Sequence, residues 1–237
     1  MLNRRSFVAA AAAYTSLGAL DAYAEAPRRL VLIHGRSQQG RDPVDLKASW
    51  MEALSTALAL KKLTIPNEVV VEFPYYGKVL DDFVRQSNLP IASEIKSRGN
   101  DQQDEFLAFQ AQVANELAEK AGVTDAEIDA EYGNNPKARG PLNWEWVQAI
   151  IRALDKNAGG LSASAIETFT RDVYLYLTSS VVRDAIDKIV DAKLGDEPTV
   201  VVGHSLGSVV AYNVLKKKRR RIPLLVTVGS PLGLRAV

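Results

Sequence analysis

The sequence contains no cysteine and only two histidines, His34 and His204. Without cysteine there is no disulfide framework, no cysteine-rich zinc site and no thiol nucleophile. Neither sign of charge dominates: a formal net charge of +1 provides no global field to attract nucleic acid or an anionic membrane. The G-x-G-x-x-G and Walker A patterns are missing, so nucleotide binding has no support, and neither a metal nor an organic cofactor is expected. Long hydrophobic runs are also lacking. The one candidate, the Ala-rich Val8–Leu20, is too short and too weakly apolar for a stable membrane span, so no integral membrane segment is expected once the leader is removed.

What is present fits a globular domain. The 237 residues are 47% hydrophobic and 24% charged, enough to bury a sizeable core in one domain, or one domain with a large insertion. Residues 1–26 read as an export leader. Arg4-Arg5 followed by Phe7 has the twin-arginine pattern, and Ala22-Tyr23-Ala24 supplies a small-x-small cleavage site. The expected location is therefore exported or periplasmic, and cytoplasmic if the leader is not real. The fold is expected over 27–237.

Arg29–Gly35 is a short apolar run closed by glycine, the pattern of a buried strand. Asp42-Pro43 then opens a helix as N-cap and first helical residue, with Leu46, Trp50, Leu54 and Leu58 along one face. Glu68–Phe73 is a second strand. Strand, helix, strand makes a βαβ unit with parallel strands. From 78 to 180 the pattern is helical, with a polar, turn-rich loop from Glu131 to Pro141. A helical insertion of this length reads as a cap, although plain helical packing with its aromatics in a core gives the same pattern. Val181–Val190 marks a helix returning to the sheet. Leu224–Val228 is a fourth strand.

The third strand carries the chemistry. Thr199–Val202 is a run of β-formers that leads into Gly203-His204-Ser205-Leu206-Gly207, and an apolar helical pattern follows at once. In that strand–turn–helix context G-x-S-x-G denotes a sharp turn that holds a serine out at the carboxyl end of a parallel strand. Gly203 and Gly207 flank the serine where side chains would collide. The helix that starts there directs its N–H groups and positive dipole end at the serine. The six cations Lys216–Arg221 lie at that helix's C-terminus without interleaved aromatics, and they read as a solvated helix end rather than a nucleic-acid site.

Three segments, Val31-Leu32-Ile33-His34-Gly35-Arg36, Gly203–Ser208 and Val226–Gly233, together resemble the α/β-hydrolase family. The resemblance covers roughly 28–80 and 180–237 and implies a mostly parallel sheet flanked by helices. Its strand order has the second strand outermost, then the first, the serine-bearing third and the fourth. It implies a serine hydrolase of esterase or lipase type acting on a small-molecule acyl substrate, most often a carboxylic ester. Ser205 is the matching nucleophile, and the backbone N–H groups of Leu206 and Arg36 are the matching oxyanion donors. His34, Gly35, Gly203, His204 and Gly207 support the site. Tyr75, Tyr76, Trp144 and Trp146 are the expected pocket walls.

The sequence departs from the family in one respect. The family's triad runs Ser, then Asp or Glu, then His, yet no Asp, Glu or His follows Ser205. The family also continues with further strands, so the chain reads as C-terminally shortened, with those strands missing. The fourth strand would then be an exposed apolar edge, which predicts self-association through 224–228. Two expectations stay open. One is a serine hydrolase whose chain here lacks the acid and histidine; the other is a non-catalytic binding or interaction protein on the same scaffold.

Overall fold

The computed structural model describes residues 26–87, 89, 101–135, 137–159 and 162–237; of the expected leader at 1–26, residues 1–25 lie outside the described residues. In chain order the elements are β1 (Arg29–Ile33), α1 (Pro43–Ala59), β2 (Val70–Glu72), α2 (Gly77–Gln86), α3 (Asp101–Ala121) and α4 (Asp125–Tyr132). There follow α5 (Trp144–Asn157), α6 (Ala163–Thr178), α7 (Ser180–Asp191), β3 (Thr199–His204), α8 (Leu206–Lys217) and β4 (Leu224–Val228). They divide into two compact units. One joins the chain up to Asp81 with Val181–Leu232; the other joins Asp82–Ser180 with Gly233–Val237.

The first unit is an α/β structure built on a four-stranded sheet, all parallel, in the order β2-β1-β3-β4. This is the strand order that the resemblance implied. β1 and β3 occupy its centre, with Leu30 opposite Val200 and Leu32 opposite Val202. Leu30, Leu32, Val200 and Val202 form one face of the sheet and pack with Leu46 and Trp50 of α1. Val31, Ile33 and Val201 alternate to the other face, are fully buried, and belong to the strands on which α8 packs. Central parallel strands covered on both sides must be apolar throughout, which is why these runs are unbroken. α1 begins where expected: the Asp42 carboxylate accepts the Val44 N–H at 2.8 Å and the Asp45 N–H at 3.2 Å. β2 is shorter than expected, because only Val70–Glu72 is in register with β1. β4 pairs with β3 alone among the described residues, so its outer edge is open.

In the basic run Lys216–Arg221 five cations are exposed, as expected, and Arg220 is the exception. Lys217 pairs with Asp187 at 2.8 Å, and Lys218 lies 3.8 Å from Asp196. The Arg220 side chain is buried, only 3% exposed; Nη2 bonds Asp191 and Nη1 donates to the Leu194 carbonyl at 2.7 Å. A cation buried this deeply is stabilising only while its hydrogen bonds are made. Arg220→Met should therefore cost about 2 kcal/mol in a urea melt, whereas Lys218→Met should shift stability by less than about 0.5 kcal/mol. Equal, small effects from the two would contradict this account of the run.

The second unit is helical. Leu107, Ala111, Ala114 and Ala118 lie on one face of α3 and pack with Ile128 of α4, Val147, Ile150, Ile151 and Leu154 of α5, and Ile166 of α6. Residues 131 and 132, expected in a loop, close α4 instead. That helix is held by a capping box in which Thr124 and Glu127 bond one another's backbone N–H. Trp144 and Trp146 are partly buried against this core, with the Lys137 ammonium over the first ring at 4.3 Å and the Arg139 guanidinium over the second at 5.3 Å. The segment Gly233–Val237, which follows the fourth strand, groups with the helices. Glu116 of α3 accepts the Arg235 N–H at 2.8 Å, and Leu234 is buried. Among the described residues no helix is long and apolar enough to cross a membrane.

Candidate functional site

Ser205 sits at the junction of β3 and α8 with φ 52° and ψ −125°, a left-handed conformation rare for any residue with a side chain. Such strain persists only where the surroundings over-determine it. Here the Ser205 N–H donates to the Val228 carbonyl of β4 at 2.9 Å, and its own carbonyl accepts the Ser208 N–H at 3.0 Å. Ser205 is partly exposed, while Leu206, which follows it, is buried.

Three glycines make room for the turn. A Cβ on Gly203 would stand 2.7 Å from the Ser208 Cα, and one on Gly207 would meet the carbonyl oxygens of Ile33 and His34. A Cβ on Gly35 would stand 3.0 Å from the Ser205 Cβ. The end of β1 therefore touches the serine directly. The structure brings together Gly35, Gly203, Ser205, Leu206 and Gly207, with the Arg36 backbone one residue beyond Gly35.

The loop after β1 is held from β2's side of the sheet. Ser37 has φ 58°, a second strained residue. Gln38 Nε2 donates to the Arg36 carbonyl at 2.9 Å, and the Tyr75 hydroxyl donates to the Gln38 carbonyl at 2.7 Å. Burial, then the carboxylates of Asp42 and Asp81, pushes the Tyr75 phenol up, so it remains a neutral donor. Gly77 also lies against Gln38, where a Cβ would come within 3.0 Å of the Gln38 carbonyl carbon. Tyr76 is fully buried. Its ring stacks on His34 with centroids 4.2 Å apart, and its hydroxyl bonds the His34 carbonyl.

His34 is thereby spoken for. Nε2 accepts the Tyr76 N–H at 3.1 Å, which leaves Nδ1 to donate to the Gly35 carbonyl at 2.6 Å. Both partners are backbone groups, and they select the neutral tautomer protonated at Nδ1. Burial lowers the His34 pKa to about 4, partly opposed by the bond to Gly35 and reinforced by His204. The ring is held by the backbone at both nitrogens.

The His204 ring turns into the fold. It meets the edge of Trp50 at 6.1 Å, and its Nδ1 would lie 3.1 Å from a Cβ on Gly35. Burial lowers its pKa too. Sequence reasoning missed the groups that hold the turn: Ser208, Ser230 and the Val228 carbonyl. Ser208 follows the motif directly, but nothing in its spacing points to Ser230, 22 residues away.

Among the described residues no group of three or more His, Cys, Asp or Glu side chains is placed to hold a metal ion. No protein-family model matches the sequence, and neither a curated protein nor a solved structure matches it.

Proposed function

We propose that the protein is an α/β-hydrolase-type serine hydrolase, esterase- or lipase-like, acting on a small-molecule acyl substrate such as a carboxylic ester. The observation that carries this reading is the backbone of Ser205: a strained, partly exposed serine at the carboxyl end of a central parallel strand and the head of a helix. In this reading Ser205 Oγ attacks the acyl carbon and forms an acyl-enzyme, which water then hydrolyses. The negative charge that develops on the carbonyl oxygen is met by the N–H of Leu206, at the positive end of α8, and by the N–H of Arg36. Gly35 lets the β1 loop approach closely enough for the second donor.

One step lacks its usual partner. Neither imidazole is free to take the serine proton, since His34 is bonded at both nitrogens and His204 is turned inward. General-base assistance contributes about 10²–10⁴-fold. Covalent labelling of Ser205 by a fluorophosphonate should therefore occur, but slowly by that factor compared with a base-assisted serine. Ser205→Ala should abolish it without shifting the melting curve. The placement of the two histidines, one bonded at both nitrogens and one turned inward, favours a second reading, a non-catalytic binding or interaction protein on this scaffold. Failure to label the folded chain after prolonged exposure would decide for that reading.

A further inference from the structure

We propose that Ser230 and Ser208 are positioning residues for Ser205, forming a one-way hydrogen-bond chain that transmits the turn after β4 to the strained backbone. Ser208 is fully buried at the first turn of α8. Its Oγ lies 2.6 Å from the Ser205 carbonyl oxygen and 2.7 Å from the Ser230 Oγ. A carbonyl can only accept, and a hydroxyl has one proton, so the Ser208 proton goes to Ser205. The Ser230 hydroxyl must then donate to Ser208. Ser230 in turn accepts the Leu232 N–H at 3.2 Å, which fixes it in the turn over Pro231–Gly233. Every proton in the chain is thus assigned, and all point towards Ser205.

The Ser205 carbonyl accepts two bonds, from Ser208 N–H and Ser208 Oγ, while its N–H is held by Val228 of the same β4. β4 and the turn that follows it therefore grip both sides of one strained residue. Without that grip φ 52° has no reason to persist, and relaxation would swing Oγ away from the N–H groups at the head of α8. That Ser205 is a nucleophile rests on the reading above. That it is held in this way rests on the hydrogen bonds alone.

Residue-resolved amide exchange of the full chain separates the two. Ser230→Ala should speed exchange at the Ser205 and Ser208 amides about fivefold, the loss of one ordinary hydrogen bond, while α1 and the centre of α8 keep wild-type protection. Ser230→Thr, which keeps the hydroxyl at a partly exposed position, should restore it. Ser208→Ala, which removes the bond to Ser205 itself, should exceed Ser230→Ala at the same two amides. Fluorophosphonate labelling should slow by a similar factor in Ser230→Ala and recover in the threonine variant. Exchange at Ser205 and Ser208 unchanged in both alanine variants would overturn the proposal. So would acceleration spread evenly over the sheet and α8, or failure of threonine to rescue. A wild-type chain that never labels would sink the acyl-transfer reading, and the exchange data would still decide the positioning role.

Discussion

A single methyl group added at position 207 should destabilise the protein by about 3 kcal/mol or more, the upper range for forcing atoms into a packed interior. Gly207 lies on the second turn-position of α8, where a Cβ would press on the carbonyl oxygens of Ile33 and His34 and stand 2.9 Å from the Ile33 carbonyl carbon. These are main-chain atoms of β1 and the residue just after it, and they cannot rotate aside as a side chain does. To admit alanine, α8 must lift off β1, and the helix carries Ser205 at its head. The loss should therefore appear twice, as a melting point lower by roughly 6–12 °C at 2–4 °C per kcal/mol, and as lost reactivity at Ser205. Gly40→Ala is the matched control, because nothing lies within 4 Å of its Cβ position. That variant should melt within about 2 °C of wild type. If Gly207→Ala melted with Gly40→Ala, α8 would not approach β1 as closely as described.

The second large effect is a pH dependence lodged in His34. Its folded-state pKa is about 4, against 6.5 for the free imidazole. As pH falls through 6.5 the unfolded chain takes up a proton that the folded chain refuses, so the folded state loses ground. The contribution is fully present above pH 6.5, declines at up to about 1.4 kcal/mol per pH unit, and is gone below pH 4, a total of about 3 kcal/mol. Below pH 4 a charged ring would present a proton from Nε2 to the Tyr76 N–H, two donors face to face. His34→Phe keeps a ring to stack on Tyr76 but orphans the buried Tyr76 N–H. It should cost about 1–3 kcal/mol at pH 7.5 and flatten the dependence between pH 6.5 and 4 relative to wild type. Titrating carboxylates are common to both chains and cancel in the comparison. Parallel pH profiles for the two would show that His34 is not the buried, neutral, doubly bonded group described.

Much of the first unit was legible in the residues. β1 and β3 were plain because strands covered on both faces must be continuous apolar runs, β4 because it is a short run of β-formers, and the start of α1 because Asp42-Pro43 is a cap with a mechanism. The turn at Ser205 was legible because two glycines bracket it between a β-run and a helix. Other features were not. α4 had a capping signal in Thr124 and Glu127, but its 8 residues are too few to show a clear apolar period. Arg220 looked like one cation among six, because burial of a single guanidinium depends on Asp191 and the Leu194 carbonyl lying beside it. The support offered by Tyr76 was equally silent, since its partner His34 is 42 residues away.

By itself, then, the sequence determined the α/β class, the strand segments and the residue placed at the end of β3. Those follow from local rules: side-chain period, caps, and the room that only glycine leaves. Tertiary structure alone decided what each polar group does there. A hydrogen bond is a matter of a few tenths of an ångström between atoms that the chain separates by tens of residues, and no local pattern encodes it. Thus His34 became a structural pin rather than a base, Arg220 a buried ion rather than a surface charge, and Ser230 the far end of a chain of hydroxyls that closes on Ser205.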